Sequence, residues 1–319
     1  MLSLELIAQA QHRLRGLLKR TPLVESDALG QRLGAKVSLK LECLQKTGSF
    51  KPRGAFNKML TLTAAERGRG VVAVSGGNHA QGVGFAARKL GVSAVIVMPE
   101  STPGNYVDAT RGYGAQVVLT PSISAAFAEC ERLRAAGRVL VHPFEDPLVA
   151  SGQGTLGLEI LEDAPDVTRL YVSIGGGALI SGVAVALRTI HPNVRVIGVQ
   201  THGADAMAQS LAANRLVELP AITSIARTLG APKVCDFTLD HVRRLVHEVV
   251  VVDDAAAYAS LVYLLERTKY LVEPAAACCL AAVEQQRDQL RPNDHVVILL
   301  CGGNLSVQDL TAFHQRFAK

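Results

Sequence analysis

The sequence contains no tryptophan and few aromatic residues of any kind. Six tyrosines and eight phenylalanines make up 4% of its 319 residues, and they do not alternate with clusters of cations. Proteins that hold single-stranded nucleic acids stack bases on aromatic side chains along a cationic groove. The formal net charge of +5 is slight and dispersed, which suits small anionic ligands. We therefore expect no nucleic-acid partner.

Long apolar segments and paired cysteine motifs are also missing. Apolar runs such as the four valines at 249–252 are far shorter than the roughly 20 residues that a spanning helix needs, so we expect no membrane partner. The six cysteines show no CxxC spacing, which argues against zinc and suits reduced thiols in the cytoplasm. Glu5, inside the apolar start of the chain, favours an amphipathic helix over a secretion signal.

Short β-branched runs alternate along the chain with stretches that carry apolar residues at helical spacing. Examples are VVAV at 71–74, RLYVS at 169–173 and the helical pattern AQGVGFAARKLG at 80–91. This alternation predicts an α/β protein with mostly parallel sheets. Because the runs are continuously hydrophobic, helices should cover both faces of each sheet.

The length of the chain and the spacing of its strands predict two domains. A single core stops growing at roughly 250 to 300 residues, and four consecutive strand and helix units occupy about residues 70–145. We predict a small domain at 59–148. Residues 1–58 and 149–319 would form a large domain, so that the chain leaves the first core and later returns to it.

The stretch KTGSFKPRGAF, residues 46–56, contains a lysine placed unusually for a surface cation. The residue before a proline favours extended conformations and proline suits the first helical turn, so a helix should begin just after Lys51. The positive end of that helix, the neighbouring Arg53 and partial burial should all lower the pKa of Lys51 and leave more free amine for nucleophilic catalysis. The alternative is an ordinary surface lysine.

A run of three glycines, Gly175, Gly176 and Gly177, follows the strand pattern RLYVSI and precedes a helical pattern. Consecutive glycines allow main-chain N–H groups to converge, and the start of a helix attracts anions, so the turn suits a phosphate. Neither a Walker lysine nor GxGxxG spacing is present, which disfavours nucleotides. A tight turn without a ligand is the alternative.

A second glycine turn, SGGNHAQG at 75–82, offers several hydrogen-bond donors at the start of a helix. The hydroxyl, amide and imidazole groups of Ser75, Asn78 and His79, with the main chain of Gly76 and Gly77, could hold a carboxylate. Ordinary helix capping by serine and asparagine is the alternative.

A third turn, VILLCGGN at 297–304, places Cys301 at a strand end, where a small buried cysteine is the plain alternative. GSFKPRGA, SGGNHAQG, HPFEDP with GQGTLGLEIL, IGGGALISG, EPAAA and CGGN follow one another along the chain. In this order they resemble, over nearly the full length, the fold type II pyridoxal-phosphate enzymes of the serine/threonine dehydratase and serine racemase group. The resemblance implies a tryptophan synthase β-like fold with two α/β/α domains, and pyridoxal 5'-phosphate as the cofactor.

The resemblance also implies roles for individual residues. Lys51 would hold the cofactor as an imine and then act as the base at the substrate Cα. Asn78 would bind the ring hydroxyl, Cys301 would face the pyridine nitrogen, and main-chain amides of the three-glycine turn would bind the phosphate. The cofactor contacts would be Phe50, Lys51, Asn78, Gly175, Gly176, Gly177, Ala178, Leu179, Glu273 and Cys301, and the substrate would meet Ser75, Gly76, Gly77, Asn78, His79 and Arg227.

The activity implied is dehydration and deamination of a β-hydroxy amino acid such as L-threonine or L-serine to a 2-oxo acid and ammonia. Racemisation ranks lower, because serine racemases of this group carry a second serine where this chain has Gly76. Hydroxyaspartate or bulkier β-hydroxy substrates stay open, since Arg227 is either a partner for a second carboxylate or a surface cation. A dinucleotide oxidoreductase and a non-catalytic binding protein are alternatives of other classes.

Two departures from the group bear on metals and regulation. The divalent-metal site of the group falls at 198–210, where Gln200 and Ala206 stand in place of a glutamate and an aspartate. Two lost carboxylates leave little for a hard cation, so we expect no metal. The sequence ends soon after CGGN, which leads us to expect no isoleucine-binding regulatory domain. We expect a cytoplasmic homodimer.

Overall fold

The computed structural model describes residues 2–318 as an α/β protein with ten strands and fourteen α-helices. The strands are β1 (Leu23–Glu25), β2 (Lys36–Lys40), β3 (Val71–Val74), β4 (Ala94–Pro99), β5 (Gln116–Thr120), β6 (Val139–Leu140), β7 (Arg169–Ser173), β8 (Arg195–Thr201), β9 (Glu248–Val252) and β10 (His295–Leu299). The helices are α1 (Leu4–Leu14), α2 (Asp27–Leu33), α3 (Lys51–Leu60), α4 (Ala64–Arg69), α5 (Asn78–Leu90), α6 (Gly104–Gly112), α7 (Ile123–Ala135), α8 (Pro147–Asp163), α9 (Ala178–Ile190), α10 (Ala206–Ala213), α11 (Asp236–Leu245), α12 (Asp254–Tyr263), α13 (Pro274–Gln285) and α14 (Val307–Phe317).

The strands form two sheets. The larger has the order β1-β2-β10-β7-β8-β9 and the smaller the order β5-β4-β3-β6. Every pairing is parallel except that of β1 with β2. The predicted fold class is therefore confirmed, and the two strand patterns named from the sequence are present as β3 and β7. β1 was not predicted, because it is three residues long and only partly buried.

Helices cover both faces of the small sheet, as its continuous hydrophobicity predicts. Val71 and Ala73 of β3 pack in one apolar cluster, together with residues of α3 and α5. Val72 and Val74 pack in a second cluster with Cys130 of α7. Alternate residues of the strand thus meet different helices, and neither face of β3 is left to solvent.

The large sheet has its own core, and its strands come from both sides of the small sheet in the chain. β7 and β10 lie in the centre of this sheet and are buried along their whole length. The predicted domain limits at residues 59 and 148 fall inside α3 and α8, which pack against each other. Those limits stay a prediction.

Close helix contacts fix the start of α3, which carries Lys51. A Cβ atom added to Gly152 of α8 would lie 2.5 Å from the carbonyl oxygen of Arg53, so only glycine allows this approach. The N–H of Gly54 donates to Oε1 of Gln153 at 3.2 Å. α8 therefore packs directly against the first turn of α3.

The parallel strands bring the three glycine turns together. β3, β7 and β10 each end at one of these turns, and ligands of open parallel sheets bind at the carboxyl ends of strands. An isolated bridge between Ser49 and Gly302 places the chain before Lys51 beside the turn after β10. None of the helices formed by residues 2–318 has the length and apolar character that crossing a bilayer requires.

Candidate active site

Lys51 begins α3, and Pro52 occupies its first turn, as predicted. Burial lowers the pKa of the Lys51 ammonium to about 8, although Cys301 and Glu273 act in the opposite direction. Its Nζ lies 5.0 Å from the centre of the Phe50 ring. The amine is thus held in a weakly solvated place where the unprotonated fraction near neutral pH is minor, but far larger than for a lysine of ordinary pKa.

The expectation that Arg53 helps to lower the pKa of Lys51 is wrong. Arg53 is 2% exposed, and its Nε and NH2 groups donate to the Glu42 carboxylate at 2.8 Å each. Its NH1 donates to Glu159 at 2.6 Å and to Thr155 at 3.1 Å. Two carboxylates therefore neutralise this guanidinium, which anchors the first turn of α3 instead of repelling the lysine.

The three-glycine turn forms an anion-binding shape. Gly177 has φ of +100°, a left-handed conformation that favours glycine. A Cβ added to Gly176 would lie 2.0 Å from Cδ1 of Phe144. Among residues 2–318, no acceptor takes the main-chain N–H of Gly175, Gly176 or Gly177. These donors and the start of α9 leave a place for a ligand phosphate.

Glu273 lies at the centre of a buried hydrogen-bond cluster. Nδ2 of Asn78 donates to both carboxylate oxygens, at 2.8 and 3.1 Å, and the Thr228 hydroxyl donates to Oε1 at 2.8 Å. Nδ2 of Asn304 donates to Oδ1 of Asn78 at 2.7 Å. Burial raises the pKa of Glu273 to about 7, against the effect of Thr228, Asn78 and Lys51. The carboxyl group is therefore poised to change charge near neutral pH.

Cys301 lies at the end of β10 and is buried, as its sequence position indicated. The Ser173 hydroxyl lies 3.3 Å from its Sγ and donates to it. Burial raises the pKa of the Cys301 thiol well above its usual value. The group at this position is thus a neutral thiol at physiological pH.

The turn after β3 is shaped by small contacts. The Ser75 hydroxyl oxygen accepts the N–H of Gly77 at 3.2 Å. A Cβ added to Gly76 would lie 2.6 Å from Oγ1 of Thr102. A side chain at residue 76 would therefore need the Thr102 hydroxyl to move.

The side chain of His79 does not reach the cavity. It is buried, and its Nε2 donates to the carbonyl oxygen of Val141 at 2.8 Å. Burial, with a contribution from the nearby Lys51, lowers the pKa of His79 to about 3. The imidazole is therefore neutral and directed to the main chain, so any contact with a substrate would come from the backbone of this residue.

Arg227 is likewise outside the cavity. Its side chain is 60% exposed and its NH1 donates to Asp309 at 3.2 Å. The next residue, Thr228, is the one that lines the cavity. Of the two interpretations of Arg227, the structure favours the surface cation, because neighbouring residues of a tight turn project in different directions.

The cavity between the three turns has about 480 Å³ of empty space. All ten residues predicted to bind the cofactor line it, whereas Ser75, Gly76, Gly77, His79 and Arg227 do not. Their binding roles stay predictions. Six further residues line the cavity that the sequence did not single out as ligands: Pro143, Phe144, Ser173, Thr228, Leu229 and Ala275.

Gln200 stands where the related enzymes carry a glutamate in their metal site. Both atoms of its side-chain amide, Nε2 and Oε1, are hydrogen-bonded to the main chain. Its Nε2 donates to the carbonyl oxygens of Ile174 and Ala204 at 3.1 Å each, and its Oε1 accepts the N–H of Ala208 at 2.9 Å. Its side-chain amide thus ties the end of β8 to the residue before Gly175.

A two-sheet α/β fold whose central cavity joins a lysine of lowered pKa to a glycine turn with free N–H groups is typical of a pyridoxal-phosphate enzyme. The family model described as "Pyridoxal-phosphate dependent enzyme" matches residues 14–302. The chain belongs to this family, and its cofactor is pyridoxal 5'-phosphate.

Similar proteins are known among both curated sequences and solved structures. The L-threonine ammonia-lyase of Geobacter sulfurreducens is 43% identical, over 99% of this chain and 79% of that protein. The L-threonine ammonia-lyase of Thermotoga maritima is 44% identical, over 96% of this chain and 77% of that protein. The structure of maize serine racemase superposes with a TM-score of 0.93 at 36% identity, covering 99% of this chain and 97% of that one.

The residues of the cavity fit the cofactor chemically. The turn at 175–177 offers unpaired N–H groups for a phosphate, Lys51 offers an amine of lowered pKa for an aldehyde, and Phe50 offers an apolar wall. The buried thiol of Cys301 adds no charge. Each part of pyridoxal phosphate thus has a complementary group in this cavity.

Proposed function

We propose that this protein is a pyridoxal-phosphate-dependent ammonia-lyase. It would convert a β-hydroxy amino acid, L-threonine or L-serine by default, to a 2-oxo acid and ammonia. The observation that carries the proposal is the partly buried Lys51, whose amine has a pKa of about 8, in a cavity that also holds the three-glycine turn. Two relatives at 43% and 44% identity are named L-threonine ammonia-lyase.

When bound, the cofactor supplies an aldehyde that condenses with amines and a conjugated ring that takes up the electron pair left at Cα. The N–H groups at 175–177 would hold its phosphate, and Asn78 its ring hydroxyl. The main chain of the 75–79 turn, with the Ser75 hydroxyl, would hold the substrate carboxylate. These contacts would fix the substrate Cα near the amine of Lys51.

Lys51 would then act as the general base. Its lowered pKa leaves free amine near neutral pH, and the amine takes the proton from Cα. The Cβ–O bond breaks, and the hydroxyl group leaves as water with the proton that Lys51 took from Cα. The enamine that is released tautomerises, and water hydrolyses it to the 2-oxo acid and ammonia.

The neutral thiol of Cys301 favours elimination over reactions that need a long-lived carbanion. A carboxylate at this position would stabilise a protonated ring nitrogen, and a neutral thiol does not. Weaker carbanion stabilisation favours prompt loss of a β-substituent. The neutral thiol therefore supports a lyase over a transaminase.

Serine racemase activity is the second candidate, because the maize serine racemase structure superposes with a TM-score of 0.93. Racemisation needs a proton donor on the face of Cα opposite Lys51. Gly76 has no side chain, and a Cβ there would lie 2.6 Å from Oγ1 of Thr102. Racemisation therefore ranks below elimination.

The structure bears on the substrate as well. Arg227 pairs with Asp309 on the surface, so the cavity offers no support for a second substrate carboxylate at that residue. We propose L-threonine and L-serine ahead of hydroxyaspartate. We also propose a cytoplasmic homodimer. All six cysteines are buried and unpaired, which suits a reducing compartment.

The test is the release of 2-oxo acid from L-threonine, L-serine and 3-hydroxyaspartate by the holoenzyme. We expect turnover of the first two, and a loss of about 10²-fold to 10⁴-fold in Lys51→Ala, which removes the base. Lys89→Ala, at an exposed lysine of α5, is the matched control and should keep full activity. Loss of optical rotation without 2-oxo acid would establish the racemase instead.

A further inference from the structure

The segment Arg227–Leu229 is a short 3-10 turn that lies between the two glycine turns of the active site. A Cβ added to Gly175 would lie 3.3 Å from Cα of Leu229, and one added to Gly77 would lie 3.7 Å from Cγ2 of Thr228. Successive residues of one turn thus meet the phosphate-binding turn and the substrate turn. Thr228 is placed where cofactor and substrate would meet.

The turn is held firmly at both ends. The N–H of Leu229 donates to Ala226 O at 2.9 Å, and the N–H of Gly230 donates to Arg227 O at 3.0 Å. The Arg227 side chain is bound to Asp309 of α14. With the backbone held in this way, the hydrogen bond to Glu273 sets the direction of the Thr228 hydroxyl.

Side chains donate three hydrogen bonds to the Glu273 carboxylate, and the Thr228 hydroxyl donates one of them. It donates to Oε1 at 2.8 Å, while Asn78 donates to both oxygens. Asn78 is also assigned to the cofactor ring hydroxyl in the proposed mechanism, so it has two tasks. Thr228 contacts the carboxyl group from a separate element and can hold it when Asn78 turns to the ring.

We propose that Thr228 is a positioning residue for the elimination reaction, whose hydroxyl orients the Glu273 carboxyl group and stabilises its ionised form beside Lys51. This inference rests on the proposed function and extends it to a residue outside the motifs. The carboxylate in turn stabilises positive charge on the Lys51 side of the cavity while protons move.

Few other groups near Glu273 change charge in the same pH range. Burial raises the pKa of Cys43 to about 12, and it raises the pKa values of Cys301 and Tyr106 above their usual range. The titratable groups that interact electrostatically with Glu273 are Lys51, Cys43, Tyr106, Cys278 and Cys301. Only Lys51 and Glu273 itself are therefore poised near neutral pH.

The direction of the expected change follows from the hydrogen bond. A hydroxyl that donates to a carboxylate lowers the pKa of the carboxyl group, and Thr228 has this effect on Glu273. Thr228→Val keeps the shape of the side chain and removes the hydroxyl, so the Glu273 transition should move upward by about one pH unit. Thr228→Ser keeps the hydroxyl and should restore the wild-type transition.

The experiment compares wild-type, T228V and T228S holoenzymes by two pH titrations, one of the cofactor absorbance and one of kcat/KM. Both should show a transition near pH 7 that moves upward in T228V only. T120V is the matched control, because Thr120 is a buried threonine at the end of β5 whose hydroxyl donates to the Met98 carbonyl. It should leave both titrations unchanged.

Several outcomes would overturn the inference. One is a T228V transition at the wild-type pH, and another is a wild-type absorbance titration without any transition near pH 7. A T228S enzyme that behaves as T228V would show that keeping a hydroxyl at this residue does not preserve the transition. The absorbance titration needs no turnover, so a protein that binds cofactor but releases no 2-oxo acid would refute the proposed function and still test Thr228.

Discussion

Each glycine of the turn between β7 and α9 is held by a different neighbour. Gly175 lies against Leu229, Gly176 against the ring of Phe144, and Gly177 against Thr238. Because a side chain at any of these positions would meet another element, the turn keeps the shape in which its N–H groups stay free for an anion.

At this scale we predict that Gly177→Ala weakens cofactor binding. An alanine there would need φ of +100°, which costs about 1 to 2 kcal/mol, and its Cβ would lie 2.7 Å from Cβ of Thr238. We expect the dissociation constant of pyridoxal phosphate to rise about tenfold or more, measured by absorbance titration of the apoprotein. Gly68→Ala, in open space on α4, should leave it unchanged, and an unchanged constant in Gly177→Ala would contradict the role of the turn.

The sequence predicted these glycines and Lys51 because local chain chemistry determines them. Thr228 and Asn304 were not assigned roles, although both belong to the Glu273 cluster. Thr228 and Glu273 are 45 residues apart, and only the fold brings them together. Arg227 was predicted as the substrate contact, but its neighbour Thr228 is the residue that lines the cavity. The sequence alone does not tell which side chain of a turn faces inward.

Helix α3 packs in the core on one face of the small sheet and carries Lys51 in its first turn. Arg53 in this turn is bound to Glu42 before α3 and to Glu159 on α8. Lys40 of β2 adds a contact to Glu159 at 2.8 Å. The buried cluster contains two cations and two anions, which together leave no net charge.

At this scale we predict that Arg53→Met strongly destabilises the protein. The change leaves Glu42 buried without its cation, and removing one partner of a buried pair costs about 3 to 5 kcal/mol. The free energy of unfolding in denaturant is the measurement. Arg32→Met breaks an exposed ion pair with Glu284 and should cost less than about 1 kcal/mol; equal losses in the two variants would contradict the role of the buried cluster.

The elements themselves were largely predictable. Continuous valine-rich runs identified the central strands, because a strand that is buried on both faces is hydrophobic at successive residues. β1 was missed, since three partly buried residues carry no periodic pattern. It joins the sheet only through pairing with β2, in antiparallel register from Leu23 opposite Lys40.

At the scale of the whole molecule, two parallel sheets meet at their carboxyl ends and enclose one reactive lysine. Large-sheet turns supply Gly175, Gly176, Gly177 and Cys301 to the cavity, while the small-sheet turn after β3 supplies Asn78. The cavity therefore exists only when both sheets are in place. This arrangement places Lys51, Asn78 and the three-glycine turn around a single cavity.

The most direct measurement of this account is the position of the cofactor in the protein. Borohydride reduction of the holoenzyme, proteolysis and mass spectrometry identify the lysine that bears the cofactor. The account predicts a phosphopyridoxyl group on Lys51 and on no other lysine. A peptide with unmodified Lys51, recovered from protein that has retained its cofactor, would contradict it.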